Sequence, residues 1–251
     1  MPKLFCLSDI HGFYDEMIES LDAAGFDKDN PDHYLISCGD CFDRGGKPEE
    51  VMDYLAGLER AILVKGNHED LFIDCVERGY PLDHDIHNGT DRTILRLGGN
   101  LRMAFQPASR IAYSKAKDFI YSMRNYFETE NYIFVHGYVP IAFDDSFPEW
   151  YQEDRIQNSI KNWRNGTDSQ WESARWFNGI QLAHDGFTPD KTVVFGHWHC
   201  SLAWSLETGS PEFGPKSRFD PYFGDGFIAI DGCTAYSKKV NVIVLEDKFL
   251  E

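Results

Sequence analysis

The 251-residue sequence predicts an α/β fold with a substantially parallel β-sheet, organised as one domain over residues 1–251. Three observations predict it. Short apolar runs alternate along the chain with segments whose apolar residues recur at helical spacing, the pattern of β-α-β connections. Hydrophobic residues make up 42% and aromatics 15%, enough at this length for one substantial core. No internal repeat and no low-complexity linker divides the chain.

The first apolar run, Lys3–Ser8, predicts a strand. Tyr14–Ala24 places Met17, Ile18 and Leu21 on one helical face and ends at Gly25, a helix stop. His33–Cys38 predicts the second strand, and Pro48 opens a helix running towards Gly57. Ala61–Val64 predicts the third strand and Leu71–Val76 lies in a helix. Residues 79–130 read as loop followed by helices, Ala112–Phe127 most clearly. Tyr132–Val135 predicts the fourth strand. Pro148–Trp163 and Gln170–Phe177 read as Trp-rich helices, within a second insertion over about residues 148–190. Thr192–Phe195 predicts the fifth strand, Thr208–Gly226 a loop, and Phe227–Asp231 and Val240–Leu245 the closing strands. The two helical insertions are expected over one end of the sheet, as a cap.

Composition excludes several classes. A formal net charge of −17 repels nucleic-acid polymers. No apolar run approaches the roughly 20 residues that span a bilayer. The N-terminus, Met1 to Leu7, lacks the long apolar stretch of a secretory signal, so a cytoplasmic protein without a membrane partner is expected. Cys6, Cys38, Cys41, Cys75, Cys200 and Cys233 are scattered, which fits a reducing compartment. Cys38 and Cys41 form a C-x-x-C, but Gly39-Asp40 between them and Asp43-Arg44-Gly45 after them mark a carboxylate loop rather than a redox helix.

Five predicted strands run into metal-binding residue types. These are Asp9-Ile10-His11-Gly12, then Gly39-Asp40 with Asp43-Arg44-Gly45, then Gly66-Asn67-His68-Glu69, then His136-Gly137, and last Gly196-His197-Trp198-His199. In open α/β sheets ligands bind at the carboxyl ends of strands, where loops aim side chains from a rigid base. Neighbouring glycines let the backbone turn sharply and approach closely. Oxygen and imidazole donors without thiolates suit manganese, iron or zinc. Each motif alone is an ordinary turn; five of them closing five strands are not.

Together these motifs resemble the calcineurin-like metallophosphoesterases. The Asp43-Arg44-Gly45 and Asn67-His68-Glu69 forms, and the ending Ile230-Asp231-Gly232-Cys233, resemble the branch that holds the serine/threonine protein phosphatases and the symmetrical diadenosine tetraphosphate hydrolases. The resemblance runs from Lys3 to Asp247. It implies a sandwich of β-sheets flanked by helices, with the insertions near the active site. It implies two divalent metal ions, manganese first, with iron or zinc as alternatives. Asp9 and His11 would bind the first, Asp40 would bridge both, and Asn67, His136 and His197 would complete the second. Arg44 would hold a phosphate oxygen, helped by Asn67. His68 would be the general acid, oriented by Asp43.

The chemistry agrees with those roles. Paired cations clamp the oxygens of an in-line displacement and acidify a shared water. A forked guanidinium suits the equatorial phosphoryl oxygens, and a carboxylate-backed imidazole can protonate the leaving oxygen.

Two features depart from that branch. Its last motif usually has one His, whereas here His199 follows His197. If the backbone stays extended, both imidazoles face the metals and His199 ligates the first; otherwise the chain turns and His199 is a cap or surface residue. That branch usually carries a second phosphate-binding Arg; Arg155, Arg164 and Arg175 lie in the interval, and Arg175 beside Trp176 is the first candidate among them, but an ordinary helix-surface role is the preferred reading for it. Trp150, Trp163, Trp171 and Trp176 read as core rather than as a base-stacking platform, and His33, His84, His87 and His184 as solvent-facing or locally hydrogen-bonded. Asp144-Asp145 reads as solvated loop charge.

The expected reaction is hydrolysis of a phosphomonoester, on a phosphoserine or phosphothreonine protein or a small phosphate. The alternative is symmetrical cleavage of a dinucleoside polyphosphate. A degenerate scaffold would have lost ligands, and every expected position is filled.

Overall fold

The computed structural model describes residues 1–98, 110–141 and 161–250. In chain order its elements are β1 (Lys3–Leu7), α1 (Tyr14–Ala24), β2 (His33–Ser37), α2 (Pro48–Ala56), β3 (Ala61–Leu63), α3 (Asn67–Arg78), α4 (Asp83–Asn88), α5 (Thr90–Gly98) and α6 (Arg110–Ser122). Then follow β4 (Phe127–Glu128), β5 (Tyr132–Phe134), α7 (Asp168–Ala174), α8 (Gly179–His184), β6 (Thr192–Phe195), α9 (Cys200–Thr208), β7 (Tyr222–Gly224), β8 (Phe227–Ala229), α10 (Thr234–Ser237) and β9 (Val242–Glu246).

The strands form two sheets, in the orders β3-β2-β1-β9 and β4-β5-β6-β8-β7. In the first, β1, β2 and β3 are parallel and β9 runs against β1. In the second, β5, β6 and β8 are parallel and β4 and β7 are antiparallel edges. Strand alternation explains why the sheets stack. In β1, Phe5 and Leu7 face α1, α2, α3 and α6, packing with Met17, Leu55, Phe72 and Phe119. Leu4 and Cys6 face the other way, into a layer shared with Ile36 of the same sheet and with Phe134, Val194 and Ile228 of the opposite one. Val193 and Phe195 of β6 turn outward to Trp163, Trp171, Ile180 and Ala203. The result is helices, sheet, sheet, helices, matching the expected sandwich.

Several details differ from expectation. One substantially parallel sheet was expected from the alternation alone; the parallel strands divide between two. The helix expected to reach Phe127 stops at Ser122, because Arg124 pairs its backbone with Leu63 and Lys65 beyond β3, and Phe127 enters β4. The expected loop 208–226 contains β7, paired antiparallel with β8. The helix expected at Pro148–Trp163, together with Trp150, Arg155 and Asp144-Asp145, lies almost wholly outside the described residues; only Trp163 among these is described. Cys38 and Cys41 are buried thiols without a disulfide. Trp163 and Trp171 are core, as expected, but Trp176 is 47% exposed. His33 accepts the Asp27 amide locally. Among the described residues, no helix is long and apolar enough to cross a membrane.

Candidate metal and phosphate site

The five strand-end motifs converge on one point between the two sheets, and unusual backbone does the aiming. Eight non-glycine residues among those described have positive φ. Six of them are Asp9, His11, Asp40, Asp43, Arg44 and His197. Asp tolerates the left-handed region; for His11, Arg44 and His197 it costs about 1–3 kcal/mol each, and such strain concentrates at functional sites. The loops also touch. A Cβ on Gly66 would collide with the Asp40 carboxylate, and one on Gly196 with Ser8 and Asp9.

Asp40 is the centre. Its Oδ1 lies 3.3 Å from His136 Nε2 and its Oδ2 lies 3.7 Å from His11 Nε2. The donor atoms of Asp40, His136 and His197 lie within 4.8 Å of one another, as do those of His11, Asp40 and His68. Asn67 adds its Oδ1, 2.8 Å from His136 Nε2. Asp9 stands 3.9 Å from His11 Nε2 and accepts the His197 amide. All these side chains are buried apart from the slightly exposed His197.

Two central imidazoles are each fixed through one nitrogen. His11 Nδ1 donates to the Phe42 carbonyl at 2.8 Å and His136 Nδ1 to the Cys38 carbonyl at 2.7 Å. His11 and His136 thereby turn Nε2 towards the centre, the arrangement by which outer groups orient metal-binding histidines. The His197 backbone N–H, not its ring, is held, by Asp9 Oδ2 at 3.0 Å. The charges are also tuned. Burial works against the protonated His136, but the Asp40 carboxylate outweighs it and carries His136 up to about 10. Burial and His136 push His197 down to about 3. Burial opposes the charged Asp40, but the surrounding imidazoles hold its carboxyl well below the usual range. A cation entering this set would displace the proton that Asp40 holds on His136, and the resulting donors, carboxylate, amide oxygen and imidazole, suit borderline divalent cations.

His68 is set differently. Its Nδ1 meets Asp43 Oδ2 at 2.6 Å, so a carboxylate, not a carbonyl, backs the ring. Burial would lower the His68 pKa, but Asp40 and Asp43 raise it above the usual imidazole value. Asp43 is fully held: Thr93 donates to Oδ1 at 2.7 Å and Thr90 to Oδ2 at 2.7 Å. Arg44 is exposed and close enough to lower the pKa of both His11 and His68.

Three supporting residues carry no role in the sequence reading. Thr90 and Thr93 come from α5, inside the first insertion, where Thr at a three-residue spacing gives no local signal. Glu69 was visible in its motif, but not its task. It accepts the amides of Asp40 (3.0 Å), Cys41 (2.8 Å) and Gly66 (2.8 Å), tying the second loop to the third.

His199 departs from the extended-strand expectation. The left-handed turn at His197 redirects the chain, and His199 becomes the residue before α9. Its ring nitrogens meet Ser201 Oγ at 2.7 Å and Glu212 at 3.2 Å, and it belongs to neither donor group among the described residues. The two described candidates for a second phosphate-binding Arg are also committed elsewhere, and Arg155 lies outside the described residues. Arg164 pairs with Glu128 and Asp190. Arg175, expected on a helix surface if not at the phosphate, is buried and pinned by Asp70 and Asn125.

Comparison with known proteins fits this geometry. The family model described as calcineurin-like phosphoesterase matches residues 2–201. A curated relative, the symmetrical bis(5'-nucleosyl)-tetraphosphatase of Nitrosococcus oceani, is 27% identical over 86% of this chain and 87% of its own. A second, the asymmetrical bis(5'-nucleosyl)-tetraphosphatase PrpE of Bacillus velezensis, is 42% identical over 25% of this chain and 28% of its own. Among solved structures, the cold-active protein-tyrosine phosphatase of a psychrophilic Shewanella species superposes with a TM-score of 0.55 at 18% identity, over 98% of this chain and 76% of that one. A protein provisionally named a diadenosine tetraphosphatase gives 0.54 at 13% identity, over 100% and 97%. At those identities the structures share the fold.

Proposed function

The chain belongs to the calcineurin-like phosphoesterase family, and from that premise we propose that it hydrolyses a phosphate ester or anhydride with two divalent ions held on either side of Asp40. The observation that carries this reading is the placement of the two Asp40 oxygens, one towards His136 and one towards His11. Asp9 and His11 would hold one ion and Asn67, His136 and His197 the other, with Asp40 shared. When bound, such ions supply Lewis-acid activation of water and of the phosphoryl oxygens.

The chain's own residues do the rest. Arg44 binds a phosphoryl oxygen from the solvent side of the cluster. His68 gives its proton to the leaving oxygen, and Asp43 keeps that proton on the face turned to the substrate by occupying Nδ1. The α3 N-terminus, opening at Asn67, adds its positive dipole end to the same point. The pairing of His68 with Asp43 supports proton transfer, although its Nε2 also lies 3.8 Å from Asp40 Oδ2.

A nucleotide substrate is favoured over a phosphoprotein. The support is the full-length similarity to a symmetrical bis(5'-nucleosyl)-tetraphosphatase, which reverses the preference drawn from the sequence. The phosphomonoester reading stays as the second, because the catalytic cluster serves either. The test is a panel with Mn²⁺ comprising nitrophenyl phosphate, a phosphoserine peptide and diadenosine tetraphosphate. Hydrolysis that stops with a chelator and returns with Mn²⁺ is expected, with diadenosine tetraphosphate the best substrate. Chelator-resistant turnover contradicts the mechanism, and a preferred phosphopeptide contradicts the substrate.

A further inference from the structure

Beside the buried cluster, exposed aromatic rings flank one of its histidines. Trp176 is 47% and Trp198 is 36% exposed, whereas Trp163 and Trp171 from the same half are buried. Both exposed indoles stand edge-on to the His197 imidazole, with ring centroids at 5.9 and 6.4 Å and interplanar angles of 86° and 80°. The Trp176 ring packs against His197 on one side and stays in water on the other. Past Trp198, the His199 ring meets Phe213 at 4.8 Å, and Phe213 meets Tyr236 at 5.5 Å. Phe213 and Tyr236 are 50% and 53% exposed. The core does not consume these indoles.

We infer that Trp176 and Trp198 receive the base of a nucleotide substrate whose phosphate lies at the Asp40 cluster. The inference rests on the proposed nucleotide hydrolysis and adds the residues that recognise its organic part. A base offers a flat π-face, and stacking on aromatic side chains is tolerant of base identity. A chain of net charge −17 has little general electrostatic attraction for a polyanion. Affinity for a nucleotide must then come from its uncharged end as well as from the cations. The indoles stand beside His197, within reach of a substituent carried by the bound phosphate.

The test uses the full chain with Mn²⁺ and two substrates sharing an anhydride: diadenosine tetraphosphate, and inorganic tripolyphosphate, which has no base. The readout is the ratio of their kcat/KM values. Trp176→Ala and Trp198→Ala are each expected to lower that ratio about five- to hundredfold, the range for loss of one stacked base. Trp176→Phe should keep most of it. Phe223→Ala, an exposed ring away from His197, should leave the ratio unchanged. Equal losses on both substrates overturn the inference and make the indoles props for His197. An unchanged ratio overturns it too. A larger loss on a phosphotyrosine peptide than on the nucleotide replaces the base with an aryl group. A wild-type enzyme active on tripolyphosphate but on no nucleotide refutes the inference and leaves the hydrolase reading standing. Should nothing be hydrolysed, the hydrolase reading falls, and AMP binding to chelated protein decides this one. Fluorescence quenching that disappears when Trp176 and Trp198 are both replaced by Phe supports it; quenching that persists in that double variant, or none in wild type, overturns it.

Discussion

The half built on β1–β3 and the half built on β5, β6 and β8 both end parallel strands at the site, but they treat its surroundings differently. In the first, nearly every polar atom around the catalytic side chains is bound within the protein. Asp43 is held by Thr90, Thr93 and His68, and Glu69 takes three amides from two loops. In the second, His136 is fixed by the Cys38 carbonyl and the His197 backbone by Asp9, but the rings next to His197 stay open to solvent. Asp70 of α3 and Arg175 beside Trp176 join the halves. The difference fits the proposed roles: the proton-transfer pair His68 and Asp43 sits in the closed first half, and the exposed indoles proposed to meet a base sit in the second.

Substitutions can break or sharpen that contrast. Asp40→Asn should have the largest effect, because one charge serves both donor groups. Activity should fall at least about 10²–10³-fold on every substrate, more than for Asp9→Asn or His11→Gln, with bound metal dropping below two ions by elemental analysis. A mutant with two tight ions and wild-type rate excludes the shared role. Next comes His68→Asn. It should cost about 10²–10⁴-fold with an alkoxide leaving group and far less with nitrophenolate, which needs little protonation. Equal losses on the two would make His68 a ligand or a prop.

Glu69→Gln should cost less, about 10–100-fold, as supports of metal-binding loops do. The loss should appear in kcat and metal affinity with little change in substrate discrimination. A selective change between nucleotide and base-free substrates would erase the contrast between the halves. The smallest effect on chemistry is expected from Arg175→Met, since Lys65 also pairs with Asp70. Melting should report a loss of about 1.5–3 kcal/mol for the charged hydrogen bonds, with kcat near wild type. A collapse of kcat would give Arg175 the phosphate contact that its pairing with Asp70 denies it.

The two halves are also unequally legible in the sequence. Asp9, His11, Asp40, Asn67, His136 and His197 can be read because each sits beside a glycine or a short turn at a strand end, a pattern local in sequence. Thr90 and Thr93 cannot be read as partners of Asp43, because their contact spans 47 and 50 residues and their helix shows no special pattern. His199 misleads for the opposite reason. His-x-His looks like alternation on an extended chain, and only the left-handed His197 sends the second ring elsewhere. Trp176 misleads too, because the Trp163 and Trp171 nearby are core and the sequence does not separate the exposed ring from the buried ones.

The central claim is that Asp40 joins two ions, and a crystal grown with Mn²⁺ tests it most directly. Anomalous scattering at the manganese edge should show two peaks about 3.5–4 Å apart. One Asp40 oxygen should contact each, His11 and Asp9 should lie on one side, and His136, His197 and Asn67 on the other, with His199 still paired to Glu212. A single peak, or two peaks of which Asp40 touches only one, would contradict the account.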